Sequence, residues 1–250
     1  MDLHESRPRL FLSEREAQVW ILSDREALNQ WCELSRFLSP EESRRAELYC
    51  TVRDGKLFRG RRGMLRVLLA GFLGCRPEEV GLTTGAHGKP QLADPGNPPL
   101  YFNLSRTIGL ALFAFARGAE IGVDVEHRST DVDQSAVGGV VFSPSELAAM
   151  ERRGDDALGT FFRLWTRKEA VLKALGVGLG GTADARTLEV SEAPPHWEVI
   201  VEGRQTGGEW TIRELNLGAA WHANVAVVAD GFTCRLVSSP APTEQKNHGN

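Results

Sequence analysis

The stretch "IGLALFAFARGAEIGVDVEHR", residues 108–128, carries two different kinds of strand joined by a turn. "IGLALFAFA" is a short run rich in apolar and aromatic residues, "RGA" turns the chain, and "EIGVDVEHR" returns as a second strand. In a strand, alternate side chains share a face. Asp124 and Glu126 therefore point the same way and Val125 points into the core. Two neighbouring carboxylates repel and raise each other's pKa, so a basic side chain or a divalent cation has to answer them. Ligands that are all oxygen favour Mg²⁺ over zinc, and Mg²⁺ fills its remaining positions with water and phosphate oxygens. The commoner meaning of a lone D-x-E pair is a charged, solvated strand edge. The apolar flanks argue against that here, because a central strand is a costly place for two unpartnered acids.

Working outward, "LYFNLS" before this stretch is another strand, and "TTGAHGKPQLADPGNPPL" (83–100) is Gly- and Pro-rich loop. "RRGMLRVLLAGFLG" (61–74) spaces Met64, Leu65, Leu68, Leu69 and Phe72 as an amphipathic helix that Gly74 ends. "AQVWILS" (17–23) is a first strand, followed by helical spacing broken near Ser39-Pro40, with Ser39 as N-cap. Downstream, "SPSELAAME" opens a helix capped by Ser143 or Ser145, and "FFRLWTRKEAVLKALG" is helical up to Gly176 or Gly178. "EWTIRELNLGAAWHANVAVVA" reads as a hairpin of strands 209–215 and 221–229. The order of strand, helices and strands occurs twice. The expectation is an α+β protein of two similar halves, 1–118 and 119–237, with 238–250 a disordered tail.

The totals bound the function. With 250 residues and 42% hydrophobic content, the chain can bury a sizeable core. Lys+Arg 29 against Asp+Glu 33 argues against nucleic acid as a partner, so any polyanion site is local. Four scattered cysteines make neither a disulfide framework nor a zinc site and fit a reducing cytoplasm. "MDLHESRPRLFLSER" lacks the apolar run of a signal peptide, and no window is apolar enough for a membrane span.

In "RLWTRKEAVLKALGVGL" (163–179), Trp165, Glu169 and Lys173 are each four apart and stack on one helix face. Taken alone, Glu169 and Lys173 read as an i,i+4 ion pair worth about 0.3–0.5 kcal/mol, with Trp165 in the core. Lys168 lies beside the same stripe and Arg167 adds a further charge, so the helix has a basic face holding one acid. A third carboxylate from this helix would complete a metal site with Asp124 and Glu126, and the lysines would meet phosphates bridged by the metal. His87 in its loop, His222 beside Trp221, and "GLGG" (178–181) read as surface, packing and loop.

"IGVDVE" followed about forty residues later by "WTRKEAVLKALGVGL" resembles the paired signature of the Sfp-type 4′-phosphopantetheinyl transferases, (I/V)G(I/V)D(I/V)E and W-x-x-K-E-(A/S)-x-x-K. "GKP" at 88–90, "FNLS" at 102–105 and the basic "KLFRGRRGMLRVLL" match upstream motifs in order, so the resemblance spans roughly residues 40–180. It implies transfer of the phosphopantetheine arm of coenzyme A to a carrier-protein serine, with release of adenosine 3′,5′-bisphosphate. It also implies a monomer of two α+β halves related by a pseudo-two-fold axis, with the site between them. Asp124, Glu126 and Glu169 would be the ligands of Mg²⁺, with Mn²⁺ as the alternative. Lys173 would contact the pyrophosphate and assist the leaving group, and Lys168 matches the first signature lysine. Lys89 and Pro90 would lie beside the adenine, Ser105 and Arg106 near the nucleotide phosphates, and Arg45, Arg59, Arg62 and Arg66 near the 3′-phosphate. The family pattern N-(I/L)-S-H-S reads "NLSRT" here. Arg106 keeps a cation but cannot exchange protons as His can.

In the implied reaction Glu169 is the base, directly or through a water held by the cation, and Lys173 is the catalytic cation. The partners would be acyl, peptidyl or polyketide carrier domains. Segment 129–153 would border them, and Arg152, Arg153 or Arg163 would meet their acidic surfaces. Two rivals stand beside this: a metal-dependent hydrolase of coenzyme A or another nucleotide pyrophosphate using the same carboxylates, and a coenzyme A-binding regulatory or scaffolding protein that has lost catalysis.

Overall fold

In the computed structural model, strand β5 (Leu110–Arg117) is buried on both faces, which is why its sequence is apolar at both parities. Ala111, Phe113 and Phe115 face one core, and Leu112, Ala114 and Ala116 face another. The structure describes residues 9–85, 88–128, 139, 141–151, 156–177, 185–193, 196–201, 204–206 and 208–238. The tail read as disordered lies, apart from Ser238, outside the described residues, as do Arg152, Arg153, His87 and "GLGG".

The chain runs β1 (Glu16–Ser23), α1 (Asp24–Leu34), α2 (Pro40–Glu47), α3 (Val52–Leu73), β2 (Leu82–Thr84), β3 (Pro90–Leu92), β4 (Leu100–Thr107), β5 and β6 (Ile121–His127). It continues through α4 (Pro144–Glu151), α5 (Ala157–Leu175), β7 (Glu189–Ala193), β8 (His196–Val201), β9 (Arg204–Gln205), β10 (Thr211–Glu214), β11 (Trp221–Val227) and β12 (Thr233–Ser238). One sheet has the order β12-β1-β5-β4 and a second the order β10-β11-β6, with small sheets β2-β3 and β7-β8-β9 beside them.

The two larger sheets pack face to face through Ala17, Val19, Leu112, Ala114, Val123, Val125 and Val225. Helix α3 covers the outer face of the first sheet, with Leu65, Leu68 and Leu69 on Trp20, Phe113 and Phe115. Helix α5 covers the second, with Ala170, Val171 and Ala174 on Ile212 and Ala226. The result is a layered helix–sheet–sheet–helix α+β protein. Each of the two larger sheets carries a long helix on its outer face, and β12, the last described strand, pairs parallel with β1 in the first sheet.

Local signals hold where caps were read. Ser39 closes a capping box with Glu42 and Ser143 forms the same pair with Glu146; Ser23, read only as a strand end, closes a further box with Glu26. Gly74 and Gly176 end α3 and α5 in the left-handed conformation. The helix expected over 61–74 starts earlier, at Val52, capped by Thr51. Gly55, Gly60 and Gly63 mask its start, because glycine disfavours a helix. They are there for close approach: a Cβ at Gly60 would meet the Ala27 carbonyl oxygen at 2.4 Å, and one at Gly63 that of Leu34 at 2.5 Å. The Gly- and Pro-rich segment expected to be loop contains the short hairpin β2-β3. The acidic strand β6 is also an edge strand of its sheet, not a central one.

Candidate active site

Alternation in β6 divides its work. Ile121, Val123 and Val125 enter the core between the sheets. Gly122, Asp124 and Glu126 share the other face, where α5 crosses. A Cβ at Gly122 would lie 2.0 Å from the Ala170 carbonyl oxygen and 2.4 Å from the Ala174 nitrogen. That glycine lets the α5 backbone rest on the strand. Glu169 and Lys173, on the turns touching it, are thereby brought over the acids.

The Lys173 ammonium lies 2.6 Å from Asp124 Oδ1 and 3.9 Å from Glu169 Oε2. Ser105 on β4 donates to Asp124 Oδ1 at 2.8 Å, and Thr107 donates to Glu126 Oε2 at 3.4 Å. Asp124 is 2% exposed, and its Oδ2, like Glu169 Oε1, is buried without a hydrogen-bond partner. Burial, and then the neighbouring acids, push the Glu169 carboxyl up to about 7 despite Lys173. Burial and Asp124 likewise raise Glu126. Two orphaned buried carboxylate oxygens and raised carboxyls are what a hard cation would relieve, so the donor set fits Mg²⁺. Among the described residues, no three acidic, His or Cys side chains are already drawn into a cluster that could hold one; Lys173 answers Asp124 instead.

On the opposite face of β4, a cleft of about 730 Å³ opens between α2, α3 and the β2-β3 hairpin. Arg45, Arg61, Arg62 and Arg106 line it, with Tyr49, Phe58 and Pro90. The volume lies in the range of cofactor pockets, and four guanidiniums suit a polyphosphate. Strand alternation places Arg106 in this cleft between Ser105 and Thr107, which turn toward β6.

Other expected site residues lie elsewhere. Arg66 is buried, its guanidinium bonded to Glu42 at 2.7 Å and to the carbonyls of Pro77 and Val80, so its donors are used inside the fold. Lys168 is 1% exposed and donates to the Val141 carbonyl and to Glu146 at 2.6 Å, pinning α4 to α5. Arg59 faces Glu47 at 3.8 Å, outside the cleft lining. Lys89 pairs with Glu120 at 3.1 Å in a smaller pocket adjoining Pro90. Arg163 pairs with Asp156 and Glu214. His222 stacks on Phe162, and burial lowers its pKa, as packing would. Sequence reasoning missed Arg61, which reaches the cleft while bonded to Asp24; its place in the run Arg59–Arg62 was the available signal. It also assigned no role to Asn103 and Thr107, which share the strand face of Ser105.

Residues 120–228 match the model of the 4′-phosphopantetheinyl transferase superfamily. The chain is similar to the 4′-phosphopantetheinyl transferase HetI of Nostoc sp., 32% identical over 227 residues, which are 90% of this chain and 93% of that protein. It is also similar to the human L-aminoadipate-semialdehyde dehydrogenase-phosphopantetheinyl transferase, 32% identical over 180 residues, 68% of this chain and 58% of that one. The mouse protein of the same name is 28% identical over 217 residues, 79% and 69% of the two chains. A family match over the acidic strand and the Glu169–Lys173 helix, and a relative aligned along nearly its whole length, lead to one conclusion: the chain belongs to the 4′-phosphopantetheinyl transferase superfamily and is an enzyme of that type.

Proposed function

We propose that the enzyme transfers the 4′-phosphopantetheine arm of coenzyme A to a serine of acyl, peptidyl or polyketide carrier proteins. Asp124, Glu126 and Glu169 would hold Mg²⁺, or Mn²⁺ in its stead, and adenosine 3′,5′-bisphosphate would leave. The observation that carries this is the arrangement of Lys173 on Asp124 beside Glu169, with an arginine-lined cleft on the far side of the same β4 edge. The names of the relatives support it. The enzyme would act as a cytoplasmic monomer whose halves, 1–118 and 119–237, are related by a pseudo-two-fold axis. The paired long helices on antiparallel strands favour that relation, and β12 departs from it.

In the reaction, the carrier serine oxygen forms a bond to the pyrophosphate phosphorus bearing the pantetheine arm. The bond from that phosphorus to the bridging oxygen breaks, and the bridging oxygen leaves with the nucleotide. Glu169 accepts the serine proton, directly or through a water that a bound cation would hold, because a cation on its carboxylate would lower the basicity that burial gives it. Lys173 stands where charge gathers on the departing phosphate. Arg61, Arg62 and Arg106 orient the nucleotide phosphates. A bound divalent cation would supply Lewis-acid neutralisation of the pyrophosphate oxygens.

The test is the intact mass of apo acyl, peptidyl and polyketide carriers after incubation with enzyme, coenzyme A and Mg²⁺. Gain of one phosphopantetheine on at least one carrier is expected. Release of free phosphopantetheine without any carrier would favour the hydrolase, and binding of coenzyme A with neither product would favour the scaffold.

A further inference from the structure

Strand β6 turns one edge to β11 and the other to β4, but no backbone ladder joins β4 to β6. Side chains take its place. Asn103 Oδ1 accepts the Val123 N–H at 3.0 Å, Ser105 Oγ the Val125 N–H at 3.3 Å, and Thr107 Oγ1 the His127 N–H at 3.0 Å. Three successive odd residues of β4, from Asn103 to Thr107, thus each satisfy a backbone donor that an edge strand would otherwise leave open. The two hydroxyls also donate to the acids between those amides, Ser105 to Asp124 and Thr107 to Glu126. Ser105 accepts a second bond from Lys173 Nζ at 3.2 Å. One donor and two acceptor sites exhaust a hydroxyl, so Ser105 has nothing left for a phosphate.

We infer that Asn103, Ser105 and Thr107 are positioning residues, a side-chain ladder that fixes the acids of β6 and Lys173 for the transfer, while Arg106 between them serves coenzyme A binding from the opposite face. The inference rests on the proposed transfer. Its signature is a strand-parity split: odd positions act on turnover and metal affinity, the even one on coenzyme A.

The test uses the full-length enzyme with Thr107→Val, Thr107→Ser, Ser105→Ala and Arg106→Ala. Thr107→Val and Ser105→Ala should each lower kcat and weaken Mg²⁺ binding, measured by calorimetry, by about ten- to a hundredfold, the effect of one hydrogen bond to a charged group. KM for coenzyme A should stay within about twofold, well inside that window. Thr107→Ser should restore both, and Arg106→Ala should raise KM for coenzyme A with Mg²⁺ affinity unchanged. Amide hydrogen exchange should quicken at His127 in Thr107→Val and at Val125 in Ser105→Ala. A folded Thr107→Val with unchanged exchange at His127 and unchanged Mg²⁺ affinity overturns the ladder, as does a Ser105→Ala whose defect lies in KM. A wild type that modifies no carrier defeats the proposed transfer, while the exchange and calorimetric arms still decide the ladder.

Discussion

Replacing Glu169 by Gln should make the metal-free protein more stable while stopping its reaction. Burial and two acidic neighbours hold the carboxyl at about 7 instead of the ordinary 4.5. The sign follows from linkage. The folded state keeps the proton more tightly than the unfolded one, so stability falls as pH rises from 4.5 to about 7 and stays low above that. The difference of 2.5, at about 1.4 kcal/mol for each pKa unit, is about 3 kcal/mol. That is an upper bound, because the side chain retains some exposure and Gln forfeits the attraction of Lys173 at 3.9 Å. For a chain of this length it corresponds to a rise in Tm of up to roughly 6–12 °C. Thermal and urea unfolding with chelator at pH 5 and pH 8 would measure it. The gain should be small at pH 5 and near full at pH 8. Mg²⁺ should stabilise the wild type, not the variant, and carrier modification by Glu169→Gln should be nearly absent. A variant no more stable than wild type at pH 8, or a gain equal at both pH values, refutes the assignment of a strained, buried carboxylate.

Lys173→Ala removes the ammonium 2.6 Å from Asp124 and should slow transfer by about 10²–10³-fold in the carrier mass assay. Gly122→Ala puts a Cβ 2.0 Å from the Ala170 carbonyl, against backbone that cannot swing away, and should destabilise the protein by about 1–3 kcal/mol in denaturant titration. Arg66→Met leaves Glu42 to Arg62, 3.4 Å away, but strips the buried Pro77 and Val80 carbonyls of their donor, and should cost about 1–3 kcal/mol of stability with coenzyme A affinity by calorimetry unchanged, in contrast to Arg61→Ala, which should weaken binding.

The first structural lesson concerns period. Two-residue alternation in "GVDVE" and four-residue spacing in the Trp165–Lys173 helix are local properties, so the strand, the helix and the shared face of Asp124 and Glu126 were legible before any packing was known. Caps at Ser39 and Gly74 were legible for the same reason, whereas Ser23, read only as the end of a strand, also caps the helix that follows. The resemblance joined the two acidic segments into one site, which neither segment does alone.

What a basic or polar side chain does once the chain has folded is a different matter, because that depends on what lies opposite. Arg62 and Arg66 are four apart on one helix and both pair with Glu42, yet only Arg62 lines the cleft, since the Pro77 and Val80 carbonyls enclose the other. Lys168 sits in a signature motif and is spent holding α4. Ser105, expected beside phosphates, is saturated by Val125, Asp124 and Lys173. The sequence by itself determined the elements, their apolar faces and the residue types at the acidic site. The tertiary structure alone decided which charges stay available to a ligand and which are consumed in the fold, because burial and hydrogen-bond saturation are properties of the assembled neighbours.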